Sequence, residues 1–262
     1  MLNKSKIEQY GDELYNALVT RTPVAPLTDR EAEITIEDAY QIQQRMIARR
    51  LEATGETIIG KKIGVTSKVV MDMLKVNQPD FGMLTSGMVF NEGEAVDTSK
   101  MIAPRAEAEV AFILKSDLMG PGVTAADVLR ATECVVPCFE IVDSRIQDWK
   151  IKIQDTVADN ASCGVLTLGG RRKSPRDIDL ALAGMVLEKN GEVISTSTGA
   201  AVQGSPVNAV AWLANTLGRL GIGLKAGEVI LSGSQSPLVP VKAGDSLVCS
   251  VGGLGSTSVR FI

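Results

Sequence analysis

The chain has 262 residues, 45% of them hydrophobic, and a formal net charge of -4 with both signs interspersed, which suits a protein with a sizeable core and supplies no basic surface for nucleic acid. It contains no histidine, which excludes serine–histidine and cysteine–histidine catalysis, histidine-ligated zinc and the usual neutral-pH general base. Cys134, Cys138, Cys163 and Cys249 lie in apolar runs without CxxC spacing, so buried reduced thiols are expected rather than a zinc site or a disulfide framework.

The N-terminus turns polar within a few residues and no apolar run is long enough to span a bilayer, so a cytoplasmic protein without a membrane part is expected. Ile7, Tyr10, Leu14 and Leu18 recur at helical spacing and predict a helix from Ser5 to about Thr20, stopped by the segment containing Pro23 and Pro26. Thr35, followed by Asp38, predicts a capping box opening a second helix to about Ala53. These helices form an expected N-terminal helical portion, residues 1–55, ahead of a β-rich catalytic domain, residues 56–262.

After Gly55 the β-branched, glycine-punctuated run Thr57 to Val65 predicts a strand, followed by a short helix from Ser67 to Leu74. Lys62 lies inside that strand, either snorkelling to the surface or held by an anionic ligand. Asp80 sits in an Asn77 to Gly82 turn, where ordinary turn chemistry would account for it by itself. The segment Pro104 to Leu114 then predicts a strand with Glu107 and Glu109 on one face and Ala106, Ala108 and Val110 on the other, the pair being either a cation site or two surface glutamates of a solvated edge strand.

A second apolar run, Cys134 to Arg145, reads as a strand and carries Glu140, for which Arg145 is the only candidate cation nearby. Arg145 is expected as a counterion to Asp143 or a neighbouring carboxylate. One unpaired carboxylate in such a strand is hard to satisfy, whereas Glu107, Glu109 and Glu140 together make a cage for a cation. An all-oxygen donor set favours magnesium or manganese over zinc or copper. The stretch from Lys150 has a weak helical period and ends in an Asp159-Asn160-Ala161-Ser162 loop, whose polar atoms could face a ligand or simply cap and turn. A strand from Cys163 to Leu168, an Asn190-Gly191 hairpin, a helix capped by Ser205 with Pro206 at its first position, and glycine-turned C-terminal strands complete the pattern.

Several of these stretches resemble the hydratase and decarboxylase family of aromatic meta-cleavage pathways, related to the C-terminal domain of fumarylacetoacetate hydrolase. They are Gly60-Lys61-Lys62-Ile63-Gly64-Val65-Thr66-Ser67, Gln78-Pro79-Asp80-Phe81-Gly82, the Glu107/Glu109 pair, Phe139-Glu140-Ile141-Val142-Asp143-Ser144-Arg145, and Val157-Ala158-Asp159-Asn160-Ala161-Ser162. Their order and their spread over essentially the whole chain make chance similarity improbable. The resemblance implies an α+β fold with a mixed, barrel-like β-roll core of the fumarylacetoacetate hydrolase type. It implies magnesium or manganese on Glu107, Glu109 and Glu140, proton chemistry by Lys62 and Asp80, and a substrate contact by Ser162.

The implied reaction is hydration of a small 2-oxo or 2-hydroxy dienoic acid, 2-hydroxypenta-2,4-dienoate, to 4-hydroxy-2-oxopentanoate, by a homo-oligomer that could associate with 4-oxalocrotonate decarboxylase. The decarboxylase activity itself, or a non-catalytic partner role, is the alternative. Asp80 tilts the resemblance to the hydratase branch, because the decarboxylase branch carries an aliphatic residue there. The hydrolase branch fits poorly, since it activates water with a histidine.

Overall fold

The N-terminal helices form where capping and periodicity place them. In the computed structural model, which describes the backbone of residues 1–262 and every side chain except those of Met73 and Leu74, α1 is Lys4–Thr20 and α3 is Ile36–Thr54. The Asn3 side chain accepts from the Lys6 N–H at the start of α1, while α3 opens on the Thr35/Asp38 capping box and ends on Gly55 in the left-handed region. A short α2, Leu27–Arg30, which the sequence pattern did not mark, lies between them. The Asp155 carboxylate of α6, Ile153–Ala158, accepts from the Thr28 N–H and hydroxyl of α2 at 3.0 and 2.7 Å. The buried faces of α1 and α3 close over Ile146, Val157 and Ala158.

The rest of the chain supplies two sheets. Their strands are β1 Ile58–Gly64, β2 Asp80–Thr85, β3 Val89–Asn91, β4 Ala95–Val96, β5 Arg105–Leu114, β6 Thr132–Val142, β7 Cys163–Leu168, β8 Gly184–Lys189, β9 Glu192–Thr198, β10 Val229–Leu231, β11 Val239–Pro240, β12 Ser246–Val251 and β13 Gly255–Phe261. The larger, mixed sheet runs β2-β1-β10-β5-β6-β7-β3, with β11 also on β5, and the smaller runs β4-β13-β12-β8-β9. Helix α4, Lys68–Leu74, follows β1, and α5, Ala125–Ala131, joins β5 to β6. Helix α7, Pro206–Gly218, is apolar almost all round, with Pro206 at its first position. Ser205 does occupy the N-cap, but its side chain makes no capping bond, so proline and burial define that end.

The two faces of the large sheet differ. Ala106, Ala108, Val110, Phe112, Phe139 and Ile141 point to a core shared with α7 and the small sheet. The opposite face carries a smaller apolar cluster of Leu84, Met88, Ala111, Val136, Cys138, Cys163, Leu166 and Leu231. The expected α+β class with a mixed β-roll core is what the chain adopts. All four cysteines are free and buried, as their apolar surroundings suggested. Among the described residues, no helix is long and apolar enough to cross a membrane.

Candidate active site

Strand register gathers the site. Glu107 lies directly opposite Glu140 across β5 and β6, and Glu109 is opposite Cys138. On the other side, Lys62 is in register with Leu231 of β10, which is opposite Ala111 of β5, so Lys62 shares the face of Glu107 and Glu109. Gly64 opposes Asp80 and Lys62 opposes Gly82, which places Asp80 on that face too. Five ionisable side chains thus interrupt one small apolar cluster.

Carboxylate oxygens of Glu107, Glu109 and Glu140 all lie within 4.8 Å of one another. Glu109 and Glu140 are buried and Glu107 half-buried. Glu109 Oε2 accepts from the Gly233 N–H at 2.8 Å, but its Oε1 has no hydrogen-bond donor, and Glu140 makes no well-aligned hydrogen bond and has only the Lys62 ammonium beside its Oε1. Buried carboxylate oxygens left without donors in a cluster of three are the arrangement that a divalent cation satisfies, and their hard oxygen chemistry fits one.

Lys62 corrects the expectation that Glu140 has no cation but Arg145. Its Nζ lies 3.1 Å from Glu140 Oε1 and donates to the Ala161 carbonyl at 2.8 Å. The β1–β10–β5 pairings bring it there from a distant part of the sequence. Arg145 turns instead to Asp159. Its Nε donates to Asp159 Oδ1 and its backbone N–H to Oδ2 at 3.0 Å, with both side chains completely buried. Asp143 caps a turn, accepting from the backbone N–H groups of Ile102 and Ala103.

Asp80 is buried, and neither of its oxygens has a hydrogen-bond donor. Space for its carboxylate exists because residue 64 is glycine: a Cβ there would lie 2.2 Å from Asp80 Oδ1. Asp80 also lines a cavity of about 490 Å³, with Ile36, Tyr40, Met71, Gln78 and Val157 among its walls. A second cavity, of about 460 Å³ and reaching Thr66 and Trp212, shares the Asn77-Gln78-Pro79 wall.

Ser162 is buried next to the Ala161 carbonyl, but its hydroxyl donates to Asp159 Oδ2 at 3.3 Å. Asn160, Ala161 and Ser162 all have positive φ, 53°, 50° and 55°, an uncommon run without a glycine. This turn aims the Ala161 carbonyl at Lys62, and the Asn160 amide brackets Met83, donating to its carbonyl at 2.9 Å and accepting from its N–H at 2.7 Å. Sequence reasoning marked the Asp159 to Ser162 segment as a loop and missed the backbone geometry, for which the asparagine is the only local signal.

Burial raises the Glu107 carboxyl to about 7, with Glu140 adding to the rise and Lys62 opposing it. Burial, then Glu140 and Glu107, holds Glu109 well above the ordinary carboxylate range. Asp80 is pushed up to about 6, burial outweighing the nearby Lys62 charge. Burial pulls Lys62 down, but Glu140, Glu107 and Asp80 more than reverse it and keep the ammonium charged.

An acid whose folded pKa exceeds its unfolded one binds more protons in the fold between the two values, so stability falls as pH rises through that interval. From unfolded carboxyl values near about 4, metal-free protein should lose thermal stability between about pH 5 and pH 7. Asp12 and Glu56, whose carboxyls are held low, lose their contribution only at more acid pH. Thermal unfolding of chelator-treated protein across that interval checks the sign. A melting temperature that climbs through it would count against the buried cluster.

The family model described as the fumarylacetoacetate hydrolase C-terminal domain matches residues 61–262, the span that holds all five ionisable side chains of this site. The chain belongs to the fumarylacetoacetate hydrolase family. Among its relatives, it is 66% identical over 222 residues to a 2-hydroxypent-2,4-dienoate hydratase of Pseudomonas putida, covering 84% of this chain and 100% of that protein. It is 59% identical to a 2-hydroxyhexa-2,4-dienoate hydratase of Comamonas testosteroni, over 100% of this chain and 99% of that one. A solved family structure, the 4-oxalocrotonate decarboxylase from Pseudomonas putida G7 complexed with magnesium and adipate, superposes with a TM-score of 0.96 at 39% identity, covering 100% of this chain and 99% of that chain.

Proposed function

We propose that this member of the fumarylacetoacetate hydrolase family is a hydro-lyase that adds water to 2-hydroxypenta-2,4-dienoate, giving 4-hydroxy-2-oxopentanoate in the breakdown of aromatic compounds. Identities of 66% and 59% to named dienoate hydratases support the reaction class. The observation that carries the mechanism is Asp80, an unbonded carboxylate raised to about 6, on the same sheet face as three clustered glutamates and facing a cavity. Decarboxylation needs chiefly an electron sink, since solvent can protonate the dienolate it leaves, whereas hydration needs a positioned group that gives a proton to carbon and takes one from water near neutral pH.

Glu107, Glu109 and Glu140 would hold magnesium or manganese, which when bound supplies a Lewis acid that stabilises negative charge on the substrate's 2-oxo oxygen. Lys62, fixed by Glu140 and the Ala161 carbonyl, adds a second positive charge beside the developing enolate. Protonated Asp80 delivers its proton to C5 as the 2-hydroxyl proton passes to solvent, forming the conjugated ketone. Asp80, now ionised, accepts a proton from a water whose oxygen bonds to C4, and the enolate so formed takes a proton from solvent at C3, which completes the product and leaves Asp80 protonated for the next turnover. Ser162 would turn its hydroxyl from Asp159 to the substrate. A cytoplasmic location, a homo-oligomer and association with a decarboxylase belong to the same reading.

Purified protein with magnesium or manganese should consume the ultraviolet absorbance of the dienoate. Asp80→Asn should keep metal binding and lower kcat by about 10²–10⁴-fold, the usual worth of a positioned acid–base group. The alternative has its own support in the close decarboxylase structure. Carbon dioxide release from 4-oxalocrotonate with no hydration of the dienoate would establish it, and inactivity on both substrates with metal bound would point to a non-catalytic partner.

A further inference from the structure

No side chain donates a hydrogen bond to the Asp80 carboxylate, so its aim depends on the backbone that bears it and on the close approach of Gly64. That backbone is the first residue of β2, an edge strand of the large sheet. Along a strand, successive residues direct their backbone groups to opposite sides, so Phe81 and Met83 face away from β1. Side chains meet them there. The Gln43 amide donates to the Phe81 carbonyl at 2.9 Å and also to the Val157 carbonyl at 2.9 Å, while Asn160 brackets Met83.

Tyr40 lies one turn before Gln43 on α3, and its ring stacks on Phe81 with centroids 4.4 Å apart and planes 15° from parallel. It shares the cavity wall with Asp80. Burial, and then the Asp80 charge, push its phenol upward, so it remains neutral. Two consecutive turns of an N-terminal helix therefore hold the residue immediately after Asp80, one through its ring and one through its carbonyl. An isolated packing role would require neither the shared cavity nor the paired hold on one residue.

We propose that Tyr40 is a positioning residue for hydration: together with Gln43 it fixes Phe81, and through Phe81 it aims the Asp80 carboxylate into the cavity that Tyr40 and Asp80 share. The proposal rests on the reading of Asp80 as the proton-transfer group. Tyr40→Leu removes the stack and should lower kcat about ten-fold with KM changed less than about two-fold, as expected when a reacting group is misplaced. Tyr40→Phe, which keeps the ring, should recover most of that loss.

The deciding measurement is the same substitution in the Asp80→Asn background, where the residual rate should change less than about two-fold because the group being positioned is gone. Should Tyr40→Leu fold poorly, Gln43→Met removes the other hold on Phe81 and should give the same kcat-selective loss and the same silence beside Asp80→Asn. Equal factors of loss in both backgrounds would overturn the positioning role while leaving the hydratase reading intact. A metal-loaded parent protein that does not hydrate the dienoate would overturn both.

Discussion

Glu109→Gln should abolish divalent-cation binding yet leave the metal-free protein at least as stable as the parent, whereas Glu140→Gln should destabilise it. Both residues belong to the three-glutamate cluster, but their neighbours differ. Glu109 is buried beside two like charges, and one of its oxygens has no donor. Because burial and its neighbours already hold Glu109 toward the neutral form, an amide there costs the metal-free protein little, and it keeps an acceptor for the Gly233 N–H. Glu140 is the carboxylate nearest to the buried Lys62 ammonium, at 3.1 Å. Its loss leaves that charge poorly compensated, a change worth on the order of 3 kcal/mol when a buried ion pair is broken from one side. Calorimetric titration with magnesium or manganese, paired with thermal unfolding of the chelated proteins, reads both effects. Normal metal binding by Glu109→Gln would sink the proposed ligand set, and a stable Glu140→Gln would deny Lys62 its dependence on that carboxylate.

The contrast also marks what local sequence pattern carries and what it does not. Alternation along β5 was enough to put Glu107 and Glu109 on one face, and capping residues were enough to bound α1 and α3. The short α2 had no such periodicity to reveal it. Lys62 could be recognised as an unusual strand lysine, but its partner depends on a register passed from β1 through β10 to β5, and non-local pairing leaves no trace in a window of neighbouring residues. Arg145 was expected as the counterion of Asp143 or of a neighbouring carboxylate; it pairs with Asp159 and donates to the Asp143 carbonyl, a choice between carboxylates that only the fold makes. Tyr40 and Gln43 read as ordinary members of an amphipathic helix, because their relation to Asp80 arises only when α3 meets the edge of the sheet.

Arg145→Met should cost about 3–5 kcal/mol of stability, among the largest single-residue effects in the chain, since it strands a buried carboxylate. Arg145 and Asp159 have no exposed surface, and water cannot replace the lost partner without the loop opening. The arginine also donates to the carbonyls of Asp143, Cys163 and Asp159, so three further buried acceptors lose a donor. Those contacts surround the Asn160-Ala161-Ser162 turn, whose left-handed backbone is costly for residues with side chains and persists only where its surroundings impose it. Release of that turn withdraws the Ala161 carbonyl from Lys62 and the Asn160 bracket from Met83. Activity should therefore fall at temperatures where circular dichroism still reports a folded protein. Asp159→Asn provides the complementary reading: it keeps an acceptor for the arginine but removes the charge, so it should fall between the parent and Arg145→Met in both stability and rate. A variant Arg145→Met that unfolds within a degree or two of the parent and turns over normally would show that the ion pair neither supports the turn nor, through it, the position of Lys62.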